Sequence, residues 1–196
     1  VLGNNTTTDI SSPVKVGSLT DWSQVSISGN TNALAVKTDG TLWAWGTNNK
    51  GQIGDETTTT RSSPVQIGSL TDWSQVTAFN RHCLAVKTDG TLWAWGFNSN
   101  GELGLGLGYN DNRSSPTQVG SLTNWSSVIG GSSHAVAIKT NGELWAWGHN
   151  ASGQVGDGTT TSRSSPVQVG SLTNWSKASV TQGSTTVITT DGTMFS

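Results

Sequence analysis

The chain has 196 residues with a net charge of −2, and it contains no cluster of Lys or Arg of the kind that binds nucleic acid. It also contains no apolar run approaching the roughly 20 residues of a transmembrane helix, so we expect neither nucleic-acid binding nor membrane insertion. Its 25 glycines and 11% charged residues are typical of many short strands joined by tight turns, and its ten tryptophans argue against disorder.

The first predicted element is a β-hairpin over residues 34–46, which recurs at 84–96 and 136–148 and, shortened, at 187–196. Asp39-Gly40 between alternating side chains predicts a two-residue type I′ turn. That turn would place Val36 opposite Trp43, with one bulky and one small face on each hairpin. Such faces favour sheets stacked bulky side against small side.

The hairpin belongs to a repeat of about fifty residues. Proline follows Ser-Ser at intervals of 51, 52 and 50 residues, at Pro13, Pro64, Pro116 and Pro166. Within the second unit we predict strands near 65–67, 75–78, 83–88 and 91–95. Four short strands in each repeated unit indicate a β-propeller.

The segment after each hairpin reads Trp-Gly-x-Asn-x-x-Gly-(Gln/Glu)-hydrophobic-Gly, as in residues 45–54. Together with the hairpin and Ser-Ser-Pro, this pattern resembles the regulator of chromosome condensation (RCC1) repeat over nearly the whole chain. The resemblance implies a β-propeller of four-stranded blades, of which the family usually has seven. We expect Asn48, Asn98 and Asn150 to hydrogen-bond the loop backbone.

The predicted fold is therefore all-β, a single propeller segment over residues 1–196. Its repeat units cover approximately 1–51, 52–101, 102–153 and 154–196. We expect a partial ring belonging to a longer ring-forming chain. Four blades closing alone, or two chains building an eight-bladed ring, are the alternatives.

No residue pattern predicts catalysis, a cofactor or a metal site. The family's histidine appears as His82 and His134, whereas Asn32 and Thr185 are assigned to that position in the first and last units. A position that accepts Asn and Thr favours a structural hydrogen bond over a catalytic base. Cys83 aligns with Ala33 and Ala135, which favours a small buried filler over a reactive thiol.

Residues that differ between units are the candidates for partner binding, because shared residues serve the repeat. Aromatic residues and Arg anchor interfaces most often. The candidates in the variable loops are Phe79, Arg81, Phe97, Tyr109 and His149. For Phe79 and Phe97, local packing under a loop is the alternative role.

These features predict a non-enzymatic protein-interaction or structural surface module, placed outside a bacterium or on a virion. Its partner would be another protein, or a second copy that completes the ring. The resemblance implies an alternative function, since the family's name-giving member is an exchange factor for a small GTPase. A glycan-binding, lectin-like propeller is a further alternative, with Trp and Asn lining shallow sites.

Overall fold

The computed structural model describes residues 3–6, 8, 11–29 and 32–196, and all regular structure in these residues is β-strand. The strands are β1 (Trp22–Ser28), β2 (Asn32–Lys37), β3 (Leu42–Gly46), β4 (Arg61–Gln66), β5 (Trp73–Phe79), β6 (His82–Lys87), β7 (Leu92–Gly96), β8 (Arg113–Gln118), β9 (Trp125–Gly130), β10 (His134–Lys139), β11 (Leu144–Gly148), β12 (Arg163–Gln168), β13 (Trp175–Val180), β14 (Thr185–Thr189) and β15 (Met194–Phe195). They form antiparallel sheets I (β1–β4), II (β5–β8), III (β9–β12) and IV (β13–β15). The predicted all-β architecture of repeated four-stranded sheets is confirmed.

The hairpin turn differs from the predicted type I′ turn. Lys37 N–H donates to Thr41 O at 3.0 Å and Gly40 N–H to Lys37 O at 2.9 Å, so the loop has three residues. Gly40 has φ +79°, whereas Asp39 has no positive φ. The Asp39 carboxylate instead accepts hydrogen bonds from Thr41 N and Oγ1 at 2.9 and 2.7 Å, which stabilises the longer loop.

The longer loop moves the register by one residue. Val36 lies opposite Leu42, not Trp43, and Ala33 lies opposite Trp45. One face of the hairpin is therefore aliphatic, while the other combines small residues with tryptophan. The stacking of unlike faces is as predicted, although the composition of each face is not.

Each sheet packs its aliphatic face against the alanine and tryptophan face of the next sheet. The core between sheets I and II contains Leu34, Val36, Leu42 and Ala44 from the first sheet and Val76, Ala78, Cys83, Ala85 and Trp95 from the second. Equivalent cores lie between sheets II and III and between sheets III and IV. No sheet buries both of its faces by itself, so the stability of each depends on its neighbours.

The Ser-Ser-Pro segment closes the preceding sheet instead of opening a new one. β4 pairs with β3, with Gly46 opposite Arg61, and the register shifts between Ala44 and Gly46. Proline is tolerated in a strand at a sheet edge or bulge, because it has no N–H to donate. The strand predicted near 65–67 accordingly begins earlier, at Arg61.

Side chains also join the first strands of neighbouring sheets. Gln24 Oε1 accepts a hydrogen bond from Val76 N at 3.0 Å, and Gln75 Oε1 accepts one from Val128 N at 3.0 Å. Each glutamine thus satisfies a backbone donor that has no partner in its own sheet. These bonds fix the height of one sheet relative to the next.

In each of the first three sheets, a buried lysine contacts two tryptophan rings and a carboxylate. Lys87 Nζ lies 4.8 Å from the Trp73 ring centroid, 4.3 Å from that of Trp93, and 3.4 Å from Asp72 Oδ1. Cation–π attraction and the ion pair compensate for removing this charge from water. Lys37 repeats the arrangement in sheet I with Asp21, and Lys139 repeats the ring contacts in sheet III but forms its ion pair with Glu143 of its own hairpin.

The hairpin glycines provide a matched test of sheet packing. A Cβ on Gly90 would lie 2.2 Å from Thr123 O in the next sheet, whereas a Cβ on Gly192 would meet nothing within 4 Å. Both residues have positive φ, at +77° and +88°, so alanine costs about 1–2 kcal/mol at either site. We expect Gly90→Ala to lower the free energy of unfolding by about 1–3 kcal/mol more than Gly192→Ala in urea titrations. Equal losses would show that the turns do not fix the contact between sheets.

Candidate functional site

One cation–aromatic cluster joins the loop between β3 and β4 of sheet I to sheet II. Phe97 follows β7, and its N–H donates to Arg81 O at 2.9 Å. The Arg81 guanidinium carbon lies 6.0 Å from the Phe97 ring centroid, and Lys50 Nζ lies 5.4 Å from it. The ring thus has two cations within cation–π distance.

Neither cation of the cluster takes part in an ion pair among the described residues. With the partners that the structure describes, six of the ten Lys and Arg residues form ion pairs, namely Lys37, Arg61, Lys87, Arg113, Lys139 and Arg163. Within the described part of the chain, Lys50 and Arg81 have no carboxylate oxygen within 4.0 Å. Arg81 is exposed and Lys50 half-buried, so water and a partner can reach both.

The loop that carries Phe97 is held by a buried asparagine. Asn98 Oδ1 accepts a hydrogen bond from Leu103 N at 3.2 Å, and its Nδ2 donates to Gly108 O at 3.4 Å. Asn48 and Asn150 accept the equivalent bonds from Ile53 N and Val155 N. The predicted loop-bonding role of these asparagines is confirmed, and it gives the cluster a rigid support.

The remaining candidates lie outside the cluster. Phe79 ends β5 and is half-buried, and a Cβ on Gly130 of sheet III would lie 3.3 Å from its Cβ. Tyr109 is 53% exposed in the long loop between β7 and β8 of sheet II. His149 occupies in sheet III the position of Phe97, and Gln154 Nε2 donates to its Nδ1 at 3.0 Å. The structure therefore brings together Arg81 and Phe97 alone among the five candidates.

Lys50 is not among the residues predicted from the sequence, because that prediction favoured aromatic residues and arginine as interface anchors. The signal was present in the sequence, since Lys50 aligns with Asn100 and Ser152 and therefore differs between units. Its proximity to Phe97 depends on how the loop between β3 and β4 of sheet I packs against sheet II, which periodicity does not show.

The buried histidines do not have the environment of catalytic bases. His134 Nε2 lies 3.0 Å from Thr185 Oγ1, and both His82 and His134 are at most 1% exposed. Burial is the main cause that lowers both pKa values to about 4, and the charge of His134 adds to the effect at His82. The structural role predicted for this position is confirmed at His134.

The assignment of Thr185 to the histidine position of the repeat was wrong. The register places Thr185 opposite Val180, just as Cys83 lies opposite Ala78, so Thr185 occupies the position of Cys83. Ser184 is the true equivalent of His82. The cause is the unusual sequence of β14, in which threonines replace the apolar residues that mark the register elsewhere.

The chemistry available to the other reactive groups is limited. Cys83 is buried, and burial raises its pKa to about 12, so its thiolate is scarce at neutral pH. Across residues 3–6, 8, 11–29 and 32–196, no group of three or more His, Cys, Asp or Glu side chains could hold a metal ion. The same residues include no helix of the length and apolarity needed to cross a membrane.

Comparison with known proteins gives repeated sequence matches. The regulator of chromosome condensation (RCC1) repeat matches residues 39–86, 89–138 and 141–188, which is more than half of the chain. A second pattern of the same description matches 22–52, 73–102 and 126–154. Both follow the repeat spacing seen in the sheets.

Solved structures show the same fold. The chain is 24% identical to human WBSCR16, with a TM-score of 0.73 over 85% of this chain and 44% of that one. It is 22% identical to Prp20p of Saccharomyces cerevisiae, with a TM-score of 0.75 over 88% and 44% of the two chains. The same yeast protein bound to Kap60 gives 23% identity and a TM-score of 0.76, over 88% and 42%. The chain thus spans less than half the length of these proteins, and the predicted propeller fold is confirmed.

The histidine pKa values predict an acid-sensitive fold. The folded pKa of His82, about 4, lies below its ordinary value of 6.5, so the unfolded chain binds a proton first as the pH falls. Stability from the neutral histidine is complete above pH 6.5 and is lost toward pH 4, by at most about 1.4 kcal/mol per pH unit. We expect His82→Asn, which introduces the residue found at the equivalent position 32, to reduce the dependence of the free energy of unfolding on pH in this range. An unchanged slope would contradict the assigned pKa.

Proposed function

Because the chain belongs to the regulator of chromosome condensation (RCC1) repeat family, we propose that it is a non-enzymatic propeller segment that binds another protein. The cluster of Lys50, Arg81 and Phe97 is the contact surface. The observation that carries the proposal is the pair of cations within cation–π distance of one aromatic ring, neither of which has a carboxylate partner among the described residues.

The chemistry of the cluster favours a partner segment with carboxylates. Arginine and aromatic residues are the side chains most often found at the energetic centre of an interface. Two cations near one ring attract an acidic side chain, and the ring offers apolar contact to its methylene groups. A peptide with Asp or Glu beside an apolar residue matches both features.

Rigid support makes the surface suitable for recognition. The backbone bond from Phe97 to Arg81 and the side-chain bonds of Asn98 hold the ring in place before a partner arrives. The partner then loses conformational entropy on binding, while the propeller loses little.

Exchange-factor activity toward a small GTPase is the second candidate. It is supported by the likeness to Prp20p, a protein whose structure was reported with its binding properties to Gsp1p and histones. The likeness covers less than half of Prp20p and extends to the fold alone. The glycan alternative gains no support from the described residues.

Selection from a random-peptide display library tests the proposed surface. We expect wild-type chain to select peptides rich in Asp and Glu, and the double variant Lys50→Glu/Arg81→Glu to bind them at least about 10-fold more weakly. The reason is that reversed charges repel the carboxylates that the cluster attracts. Affinities are measured by fluorescence anisotropy at fixed salt.

The matched control is Lys15→Glu/Lys177→Glu, which changes the net charge equally at two exposed lysines that form no ion pair with the described residues, and it should retain binding. An equal loss of peptide affinity in both double variants would show that the loss results from net charge alone, and would contradict the proposal. Faster release of fluorescent GDP from Gsp1p in the presence of the chain would favour the second candidate instead.

A further inference from the structure

A pocket of about 420 Å³ lies at the junction of sheets I and II, both of which have all four strands. Its volume is in the range of pockets that bind small ligands. Its lining combines apolar side chains with an exposed carboxylate, and includes Ile67, Leu70, Trp73, Trp93, Gln66 and Glu56. No residue of the Lys50–Arg81–Phe97 cluster lines it. The pocket is therefore a second site with chemistry of its own.

The pocket is open because Asp55 does not fill it. In the next interface Leu105 occupies the position of Asp55, since each follows the last glycine of the repeated loop, and it packs with Trp145 against the core. The Asp55 carboxylate points instead to its own loop, where Oδ2 accepts a hydrogen bond from Arg61 Nε at 2.7 Å. Arg61 thus neutralises the charge of Asp55, and the space beside Trp93 that a leucine would cover stays open.

Glu56 lies beside this space in a backbone conformation that glutamate rarely adopts. Its φ is +65°, and its N–H donates to Ser114 O of sheet II at 2.8 Å. The equivalent residue is Gly106 in sheet II and Gly158 in sheet III, with φ of +70° and +77°. Left-handed backbone costs free energy for a residue with a Cβ. A glutamate at a position where glycine fits without strain indicates a role for its side chain other than stability.

The Glu56 carboxylate is an exposed charge without a counter-ion among the described residues, since none of their ion pairs includes it. Lys87 Nζ lies 4.3 Å from the Trp93 ring centroid, but Asp72 matches its charge at 3.4 Å. Gln66 Oε1 receives no hydrogen bond from the described residues. The pocket therefore offers a negative charge, a hydrogen-bond acceptor and an aromatic ring.

We propose that this pocket binds an arginine side chain of a partner protein. The guanidinium pairs with the Glu56 carboxylate and donates to Gln66 Oε1, while its methylene groups lie against Trp93 and Leu70. Arginine matches these groups better than lysine, because its planar fork of N–H donors fits a carboxylate in bidentate fashion and packs on an aromatic ring. The pocket is independent of the function proposed above, because that surface attracts carboxylates and this one attracts a cation.

Binding of Nα-acetyl-arginine methylamide to the 196-residue chain tests the pocket. We expect the compound to shift the Trp93 indole N–H signal and the Leu70 backbone amide signal in assigned ¹H–¹⁵N spectra of the protein. Nα-acetyl-citrulline methylamide has nearly the same shape without the charge, and it should bind at least about 10-fold more weakly. Absence of binding, equal binding of the two compounds, or shifts confined to other surfaces would overturn the proposal.

Two variants of Glu56 separate binding from folding. Glu56→Gly introduces the residue of the equivalent positions 106 and 158, so it should raise the unfolding temperature by about 1–4 °C while weakening arginine binding at least about 10-fold. Glu56→Gln keeps the strained backbone and should weaken binding without raising the unfolding temperature. Lys50→Glu/Arg81→Glu is the control that should retain binding of the arginine compound.

Three results with these variants would contradict the assignment. Retained binding in both Glu56 variants would exclude that carboxylate as the partner of the guanidinium. Loss of binding in Lys50→Glu/Arg81→Glu would place the arginine compound at the other surface. A dimer in light scattering that Glu56→Gly dissociates would show that a second copy of the chain, and not a partner protein, occupies the pocket.

Discussion

The structure depends on the insertion of the Trp-Gly loops of sheets I and II beneath the tryptophan of the next sheet. Gln52 O receives the Trp95 indole N–H, and Gly54 lies so close that a Cβ there would be 2.8 Å from Trp95 Nε1. A carbonyl at that depth needs a donor, and the indole supplies one without a water molecule. Because sheets I and II each contribute such a loop, with Glu102 O accepting from Trp147 Nε1 in the second, sheets I to III are joined by packing and by hydrogen bonds at the same place.

This joint also positions the candidate binding surface. The loop that reaches Trp95 carries Lys50 at its outer end, and Trp95 is followed two residues later by Phe97. Lys50 and Phe97 therefore meet because the loop of one sheet is fixed against the third strand of the next. The contact between the inserted loop and the tryptophan recurs in the structure, whereas Lys50 and Phe97 differ from unit to unit. The recurring contact thus brings variable residues together, and these residues determine the chemistry of the surface.

Much of the fold was predictable from the fifty-residue period, the Asp-Gly turns and the tryptophan spacing. The hairpin register was not, because Asp-Gly fits both a two-residue turn and a three-residue loop, and the choice depends on the Asp39–Thr41 hydrogen bonds. The pairing of β4 with β3 was also missed, since nothing local in Ser-Ser-Pro tells which sheet it joins. Arg81 and Phe97 followed from comparing the units, but their proximity to Lys50 required the path of the loop.

The most direct test of this account compares the free energy of unfolding of the Trp95→Phe variant with that of the Trp93→Phe variant. Trp95 is fully buried and donates to a backbone carbonyl of the preceding loop, whereas Trp93 is half-buried and donates to Thr91 Oγ1 in its own hairpin. The account predicts that Trp95→Phe lowers the free energy of unfolding by about 2–3 kcal/mol, and Trp93→Phe by under about 1 kcal/mol. Equal losses for the two variants in urea titrations would contradict the claim that the inserted loop holds neighbouring sheets together.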